Sequence, residues 1–254
     1  MGKIELHQVS YAYETNGQNS AVLENVDLTI NSGEFVCILG KSGCGKTTLL
    51  RVIAGLQQPQ KGTVCIDGKT ISQPGTDRAV VFQSYTLFPW MTALKNVQFG
   101  IQQAQKGISR RESRRRAEEY LSLVAMADAK EKLPCQLSGG MCQRVAIARA
   151  LAMDADILLM DEPFGALDVH SRRELQELIT QLWSNAQRSK TVVFVTHDVS
   201  EAALLADRIL YMTPGRIARD IQVDLSRPRD TQSQEWKNLK HCLRALFEED
   251  GEEV

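Results

Sequence analysis

The sequence predicts an α/β fold, and three stretches carry that prediction. Phe35-Val36-Cys37-Ile38-Leu39 is a short apolar run, followed by Gly40-Lys41-Ser42-Gly43-Cys44-Gly45-Lys46-Thr47 and then by the helix-like residues 48–54. Ile157-Leu158-Leu159-Met160 is a second apolar run and ends in Asp161-Glu162. Thr191-Val192-Val193-Phe194-Val195-Thr196 is a third and ends in His197-Asp198. Short continuous apolar runs that alternate with helical segments are the pattern of buried parallel strands. An antiparallel β layer at the N-terminus and a mostly helical insert in the middle complete the expected fold.

Residues 40–47 match the G-x-x-x-x-G-K-[ST] pattern of a phosphate-binding loop. A strand–loop–helix unit of this kind aims successive backbone N–H groups and a helix N-terminus at one point, which is an anion site. Glycines are needed there because side chains would block close approach and the loop needs unusual dihedrals. Lys46 would reach the β- and γ-phosphates of a nucleotide, and the Thr47 hydroxyl would hold Mg²⁺.

Composition narrows the classes. The chain has 254 residues, 43% hydrophobic and 24% charged, which suits one large domain or one domain with a subdomain. A net charge of −1 gives no global field toward nucleic acid or a membrane surface. No run of apolar residues is long enough to span a bilayer, and residues 1–7 lack the apolar core of a signal peptide. The six cysteines form no C-x-x-C pair, so they read as reduced thiols and not as a disulfide framework or zinc site. Cys44, inside the loop, is a candidate for alkylation or oxidation with loss of nucleotide binding.

Residues 3–13 alternate as a strand through Ile4, Leu6, Val9, Tyr11 and Tyr13. A polar turn is expected at Glu14–Ser20, then a second strand through Leu23, Val26, Leu28 and Ile30. Tyr13 is either ordinary strand packing or an aromatic laid against an adenine ring. Gly62–Lys69 reads as a hairpin strand closing at an Asp-Gly turn. Ala79–Phe82 is a buried strand that ends in Gln83, which could offer an oxygen to Mg²⁺ or to an attacking water. Residues 93–136 read as helical, with Ser109 capping a helix dense in Arg and Glu. The basic stretch 110–116 reads as a solvated helix face, because Glu is interleaved and no stacking aromatic lies beside it.

Leu137-Ser138-Gly139-Gly140 opens a strong helix from Met141 to Met153, rich in alanine. A serine and two glycines at a helix N-terminus form a second anion site. Two chains facing each other could use both sites on one nucleotide. Asp161, at the tip of its strand, suits Mg²⁺, directly or through water. Glu162 suits the polarisation of a water for attack on a γ-phosphate. Asp168 follows in a loop that could cross a dimer interface. Residues 171–187 read as an amphipathic helix, 200–206 as a short helix, 209–212 and 217–221 as a hairpin, and 235–247 as a helix before an acidic tail.

The phosphate loop, Gln83, Leu137–Gly140, the acidic strand, Asp168 and His197 occur in the order and spacing of an ABC-transporter ATP-binding subunit, which nearly the whole chain resembles. The resemblance implies a P-loop NTPase (RecA-like) α/β core, an antiparallel β subdomain and a helical signature subdomain at about 88–155, within a single domain over 1–254 that carries a C-terminal extension at about 226–254. It implies an ATPase that uses ATP and Mg²⁺, the metal held by Thr47, Gln83 and Asp161. Two copies would pair head to tail. ATP would lie on Gly40, Lys41, Ser42, Gly43, Cys44, Gly45, Lys46, Thr47 and Thr48 of one copy, facing Leu137, Ser138, Gly139, Gly140 and Met141 of the other. Tyr13 resembles the adenine-stacking aromatic, Glu162 the catalytic base, His197 the switch histidine and Gln83 the lid glutamine. The implied location is peripheral, on the cytoplasmic face of the cell membrane. The implied partners are membrane permease subunits and, indirectly, a solute-binding protein, with no nucleic acid. An exporter ATPase and a soluble non-transport ATPase of the same family are the alternatives.

One residue departs from the family pattern, which has Gln where this chain has Met141. The loss of a side-chain hydrogen bond near the ribose or the dimer interface predicts weaker dimerisation or slower turnover. Met141→Gln is therefore expected to raise ATPase activity, and an unchanged rate would show that Met141 has no such cost. Asp77–Gln83, then Leu87-Phe88-Pro89-Trp90, and Ser226-Arg227-Pro228-Arg229 resemble the branch that serves importers of nitrate, sulfonates, taurine and bicarbonate. In that reading the apolar Phe88-Pro89-Trp90 takes the permease's coupling helix.

Overall fold

The computed structural model describes residues 2–15, 18–165, 167–184 and 190–249. The chain divides into two units, Met1–Pro74 with Thr191–Val254, and Gly75–Lys190.

In the first unit, β1 (Ile4–Thr15) and β2 (Gln18–Ile30) form an antiparallel pair. The buried set of β1 changes parity between Leu6 and Val9, and that of β2 between Leu23 and Val26. A strand of strict period two would turn Val9 of the first set and Leu23 of the second to solvent. Register shifts absorb the change, with Gln8 at φ 48 and Asn25 at φ 47. Asp27 accepts from the Gln8 N–H and Ser10 Oγ from the Asn25 N–H, both at 2.9 Å. The polar stretch expected as a turn at 14–20 is largely drawn into this ladder: Tyr13 pairs with Ser20 and Glu14 with Asn19. Residues 16 and 17 lie outside the described residues.

β4 (Lys61–Ile66) pairs with β1 and turns back into β5 (Lys69–Thr70). The turn residues Asp67 and Gly68 have φ 49 and 75, the left-handed pair that an Asp-Gly hairpin needs.

The same unit holds β3 (Phe35–Leu39) between β8 (Thr191–Thr196) and β9 (Arg208–Thr213), both parallel to it. β10 (Arg216–Gln222) adds an antiparallel edge. Every residue of β3 and β8 is buried, as continuous Val, Ile and Phe runs require. Among the described residues, this unit holds the helices α1 (Lys46–Ile53), α6 (Val199–Leu205) and α7 (Gln234–Glu249). α7 buries Trp236 and Leu243 and ends against Tyr211, whose hydroxyl donates to the Leu246 carbonyl at 3.0 Å. The acidic tail passes beyond the described residues at 250–254.

In the second unit, β6 (Arg78–Val81) and β7 (Ile157–Asp161) are parallel, with Val81 opposite Met160. α2 (Ala93–Ala104), α3 (Arg110–Leu123) and α4 (Gly139–Ala152) pack on one another, and α5 (Val169–Ser184) follows β7. Val97, Ile101, Ala117, Leu121, Val145 and Ile147 are buried. α4 is buried over most of its surface, which its small alanines permit. Ser109 caps α3 by accepting from the Glu112 N–H at 3.1 Å. On α3, Arg115 pairs with Glu112 and Glu119, and Arg114 with Glu118 and Glu131.

Asn96 is fully buried and organises the loop that precedes α2. Its side chain accepts from the Phe88 N–H at 2.8 Å and donates to the carbonyls of Phe88, Met91 and Thr92 at 3.2, 3.0 and 3.1 Å. Trp90 stands out of this loop, 71% exposed. Among the described residues, no helix is long and apolar enough to cross a membrane, and no group of three His, Cys, Asp or Glu could hold a metal ion.

Candidate active site

β3 and β8 run in register, Leu39 opposite Thr196, so Gly40 and His197 leave the sheet side by side at its C-terminal edge. There the loop 40–47 has little space. A Cβ on Gly40 would come within 2.3 Å of the Met212 carbonyl oxygen, and one on Gly45 within 2.7 Å of that of Val22. Gly45 also has φ 107 and serves as the N-cap of α1 with no side-chain cap. Gly45 offers no side-chain cap to the start of α1, whose first turn carries no acidic residue. The Gly215 N–H donates to the Cys44 carbonyl at 3.3 Å, and the Gly215 carbonyl accepts from the Glu24 N–H at 2.8 Å. These bonds pin the loop to the β9–β10 turn and to β2. Cys44 is only 4% exposed, which corrects the expectation of a thiol open to alkylation.

Lys46 is 5% exposed. Its ammonium donates to the carbonyls of Gly40 and Lys41 at 2.9 and 2.8 Å. A buried cation is tolerated only when paired or hydrogen-bonded, and here the loop itself supplies the acceptors. The cradle suits a polyphosphate: bare glycine backbone, an uncapped helix start and a cation held at its rim. Thr47 opens α1 half-buried, and Thr48 is buried beside it.

Tyr13 is joined to the helix after this loop. Its hydroxyl lies 3.2 Å from Thr48 Oγ1 and accepts from Gln57 Nε2 at 2.9 Å. Its ring meets Tyr11 edge-on at 5.1 Å. Burial pushes the phenol pKa up, but hydrogen bonds from Thr48, Gln57 and Arg51 outweigh it and hold the pKa below its ordinary value. The ring is thus fixed in orientation while staying partly exposed.

His197 is exposed, on a turn built by residues the motif reading did not single out. Thr196 Oγ1 accepts from the Asp198 N–H at 3.0 Å and donates to Glu201 at 2.6 Å. Asp198 caps α6 by accepting from the Ser200 N–H at 2.7 Å. The Asp-x-x-Glu spacing at the start of α6 was the available signal. Arg227 and Arg229 bind the other end of α6. Arg229 donates to the carbonyls of Ala203 and Ala206, and Arg227 to that of Leu205 and to Asp207. Burial and the neighbouring Arg227 push the Arg229 guanidinium down to about 10. Cations at a helix C-terminus satisfy its last carbonyls, so this arginine pair has a structural role.

The second unit holds the remaining candidates. The β6–β7 pairing ends with Val81 opposite Met160, so Phe82-Gln83 and Asp161-Glu162 leave these two strands at the same end. Asp161 is 3% exposed and Gln83 is exposed. Glu162 has φ 44, a left-handed conformation that side-chain-bearing residues adopt at a cost and that clusters at functional positions. Ser138 caps α4, its Oγ accepting from the Met141 N–H at 3.3 Å. A Cβ on Gly139 would lie 2.5 Å from the Tyr85 hydroxyl, so a side chain there would have to displace the Tyr85 ring. Asp168 accepts from the Ser171 N–H at 2.9 Å at the start of α5, and hydrogen bonds from Ser171 hold its carboxyl below its usual range. Its neighbour Ala166 lies outside the described residues.

Known proteins resemble the chain throughout. The family described as ABC transporter matches residues 23–165. An uncharacterized ABC transporter ATP-binding protein of Methanocaldococcus jannaschii is 48% identical over 98% of this chain and 92% of its own length. The bicarbonate transport ATP-binding protein CmpD of Synechocystis sp. is 46% identical over 89% of this chain and 81% of its own. For the nitrate import ATP-binding protein NrtD of Synechococcus elongatus the figures are 45%, 83% and 77%. A solved dimeric ATP-binding cassette, in a post-hydrolysis state bound to ADP and phosphate, superposes with a TM-score of 0.80. It is 37% identical and covers 87% of this chain and 98% of that one.

Proposed function

The chain belongs to the ABC transporter family as one of its ATP-hydrolysing subunits, and we propose that it powers the uptake of a small anion such as bicarbonate, nitrate or a sulfonate like taurine. The observation that carries the choice of solute is the identity of 45–46%, over most of both chains, with relatives named for bicarbonate transport and nitrate import. The chain would sit peripherally on the cytoplasmic face of the membrane, bound to permease subunits that a solute-binding protein serves.

The mechanism follows from the residue types. Loop residues 40–48 take the phosphates of ATP, with the Lys46 ammonium moving from the loop carbonyls to the β- and γ-phosphate oxygens. Tyr13 supports the adenine. Thr47, Asp161 and Gln83 are the oxygen donors suited to Mg²⁺, which when bound neutralises charge on the β- and γ-phosphates. Glu162 accepts the proton of the attacking water. His197 senses the γ-phosphate. A second copy contributes Ser138, Gly139 and Gly140 to the same nucleotide, and the loop with Asp168 lies at the contact between copies. ATP closes the pair, and hydrolysis reopens it.

Purification of the tagged chain from its native membranes, followed by reconstitution of what accompanies it, tests the proposal. A permease should co-purify, and ATP-dependent uptake should be found with bicarbonate, nitrate or taurine. Recovery of soluble partners alone, or transport outward, would overturn it.

A further inference from the structure

The segment that leaves β6 is bracketed by side chains that no motif includes. Thr86 sits at φ 46, a strained conformation for a β-branched residue. Arg149 of α4 donates from Nη1 to the Thr86 carbonyl at 2.9 Å and from Nη2 to its Oγ1 at 3.0 Å. One planar guanidinium thus holds both the carbonyl and the hydroxyl of the strained residue, a geometry that a lysine cannot copy. Gly100 of α2 makes way for the stem of Arg149, since a Cβ there would lie 2.8 Å from Arg149 Cγ. On one side of Thr86, the Tyr85 hydroxyl leans on Gly139 at the start of α4. On the other, Asn96 holds Phe88, Met91 and Thr92. Phe88 packs on Trp90 with ring centroids 5.6 Å apart and on Phe99 at 4.9 Å. Gln83 lies at one end of this segment and the exposed Trp90 at the other.

We propose that Arg149 is a positioning residue that makes the segment from Gln83 to Trp90 move as one body, so that nucleotide binding sensed at Gln83 reaches the Trp90 face. Strain at a single backbone torsion persists only where its surroundings over-determine it. Without the guanidinium, Thr86 relaxes toward negative φ, and that rotation uncouples the residues before it from those after it. The proposal rests on the reading of Gln83 as a nucleotide-sensing residue.

The test uses the full chain with Trp183→Phe and Trp236→Phe, which leaves Trp90 as the sole tryptophan. Addition of ATP with Mg²⁺ is expected to shift Trp90 emission. Arg149→Met and Arg149→Lys should each lose most of that shift while ATP affinity, measured by calorimetry, stays unchanged. Gly100→Ala should lose it too, by displacing the Arg149 stem, although alanine is the better helix former and a merely structural role predicts no loss. A full shift in Arg149→Met, a loss in step with ATP affinity, or ATP binding without any shift in the parent would overturn the proposal. Failure of the parent to bind ATP would instead remove the nucleotide-site reading itself.

Discussion

Glu162→Gln is expected to keep ATP binding and to slow hydrolysis by about 10²–10⁴-fold, the usual worth of a general base. The substitution is nearly isosteric, so it leaves the turn after β7 and its left-handed residue in place. What it removes is the carboxylate that, in the proposed mechanism, takes a proton from the attacking water. An amide cannot accept that proton, so ATP stays intact and the closed pair of chains persists. Two measurements check this together: steady-state phosphate release, and size-exclusion chromatography with ATP present. Slow release with a stable dimer supports the assignment. Hydrolysis at the wild-type rate would show that Glu162 is not the base, whatever its place at the end of β7.

Lys46→Ala should act at the binding step. The ammonium is buried and satisfied by the Gly40 and Lys41 carbonyls, so the loop holds a cation ready beside its uncapped N–H groups. Hydrogen bonds to a charged group contribute about 1.5–3 kcal/mol each. Loss of the contacts to two phosphates therefore predicts an affinity for ATP weaker by at least about a hundredfold. Titration with a fluorescent nucleotide reads the change directly. A shift of less than about threefold, on the order of 0.6 kcal/mol, would mean that Lys46 does not engage the phosphates. The two variants separate binding from chemistry: one loses the nucleotide, the other holds it unhydrolysed.

The candidate residues are legible in the sequence because their signals are local. A loop pattern after an apolar run, carboxylates at the tip of another run, and a serine with two glycines before an alanine-rich helix each depend on neighbours in sequence. Their physics is backbone dihedrals, helix termini and strand ends, which act over a few residues. The register of β3 with β8 then set Gly40 beside His197, and within the other unit the pairing of β6 with β7 brings Gln83 and Glu162 off the same end of those two strands. The burial of Cys44 depends on packing around the loop, to which its own neighbours in sequence give no clue. The polar residues at 14–20 predict a turn, yet a hairpin ladder accepts polar residues wherever its backbone partners continue.

The sequence by itself therefore determined the family, the glycine-rich loop, the acidic strand end and the serine-capped helix, since each is written in contiguous residues. Only the tertiary structure decided how these parts are held. Gly45 has no room because a carbonyl of β2 lies against it. Thr196 and Glu201 shape the turn that carries His197. Asn96 and Arg149 bracket the loop from Gln83 to Trp90. Each of these is a close approach or a buried hydrogen bond whose partner is set by packing, and no local propensity encodes it.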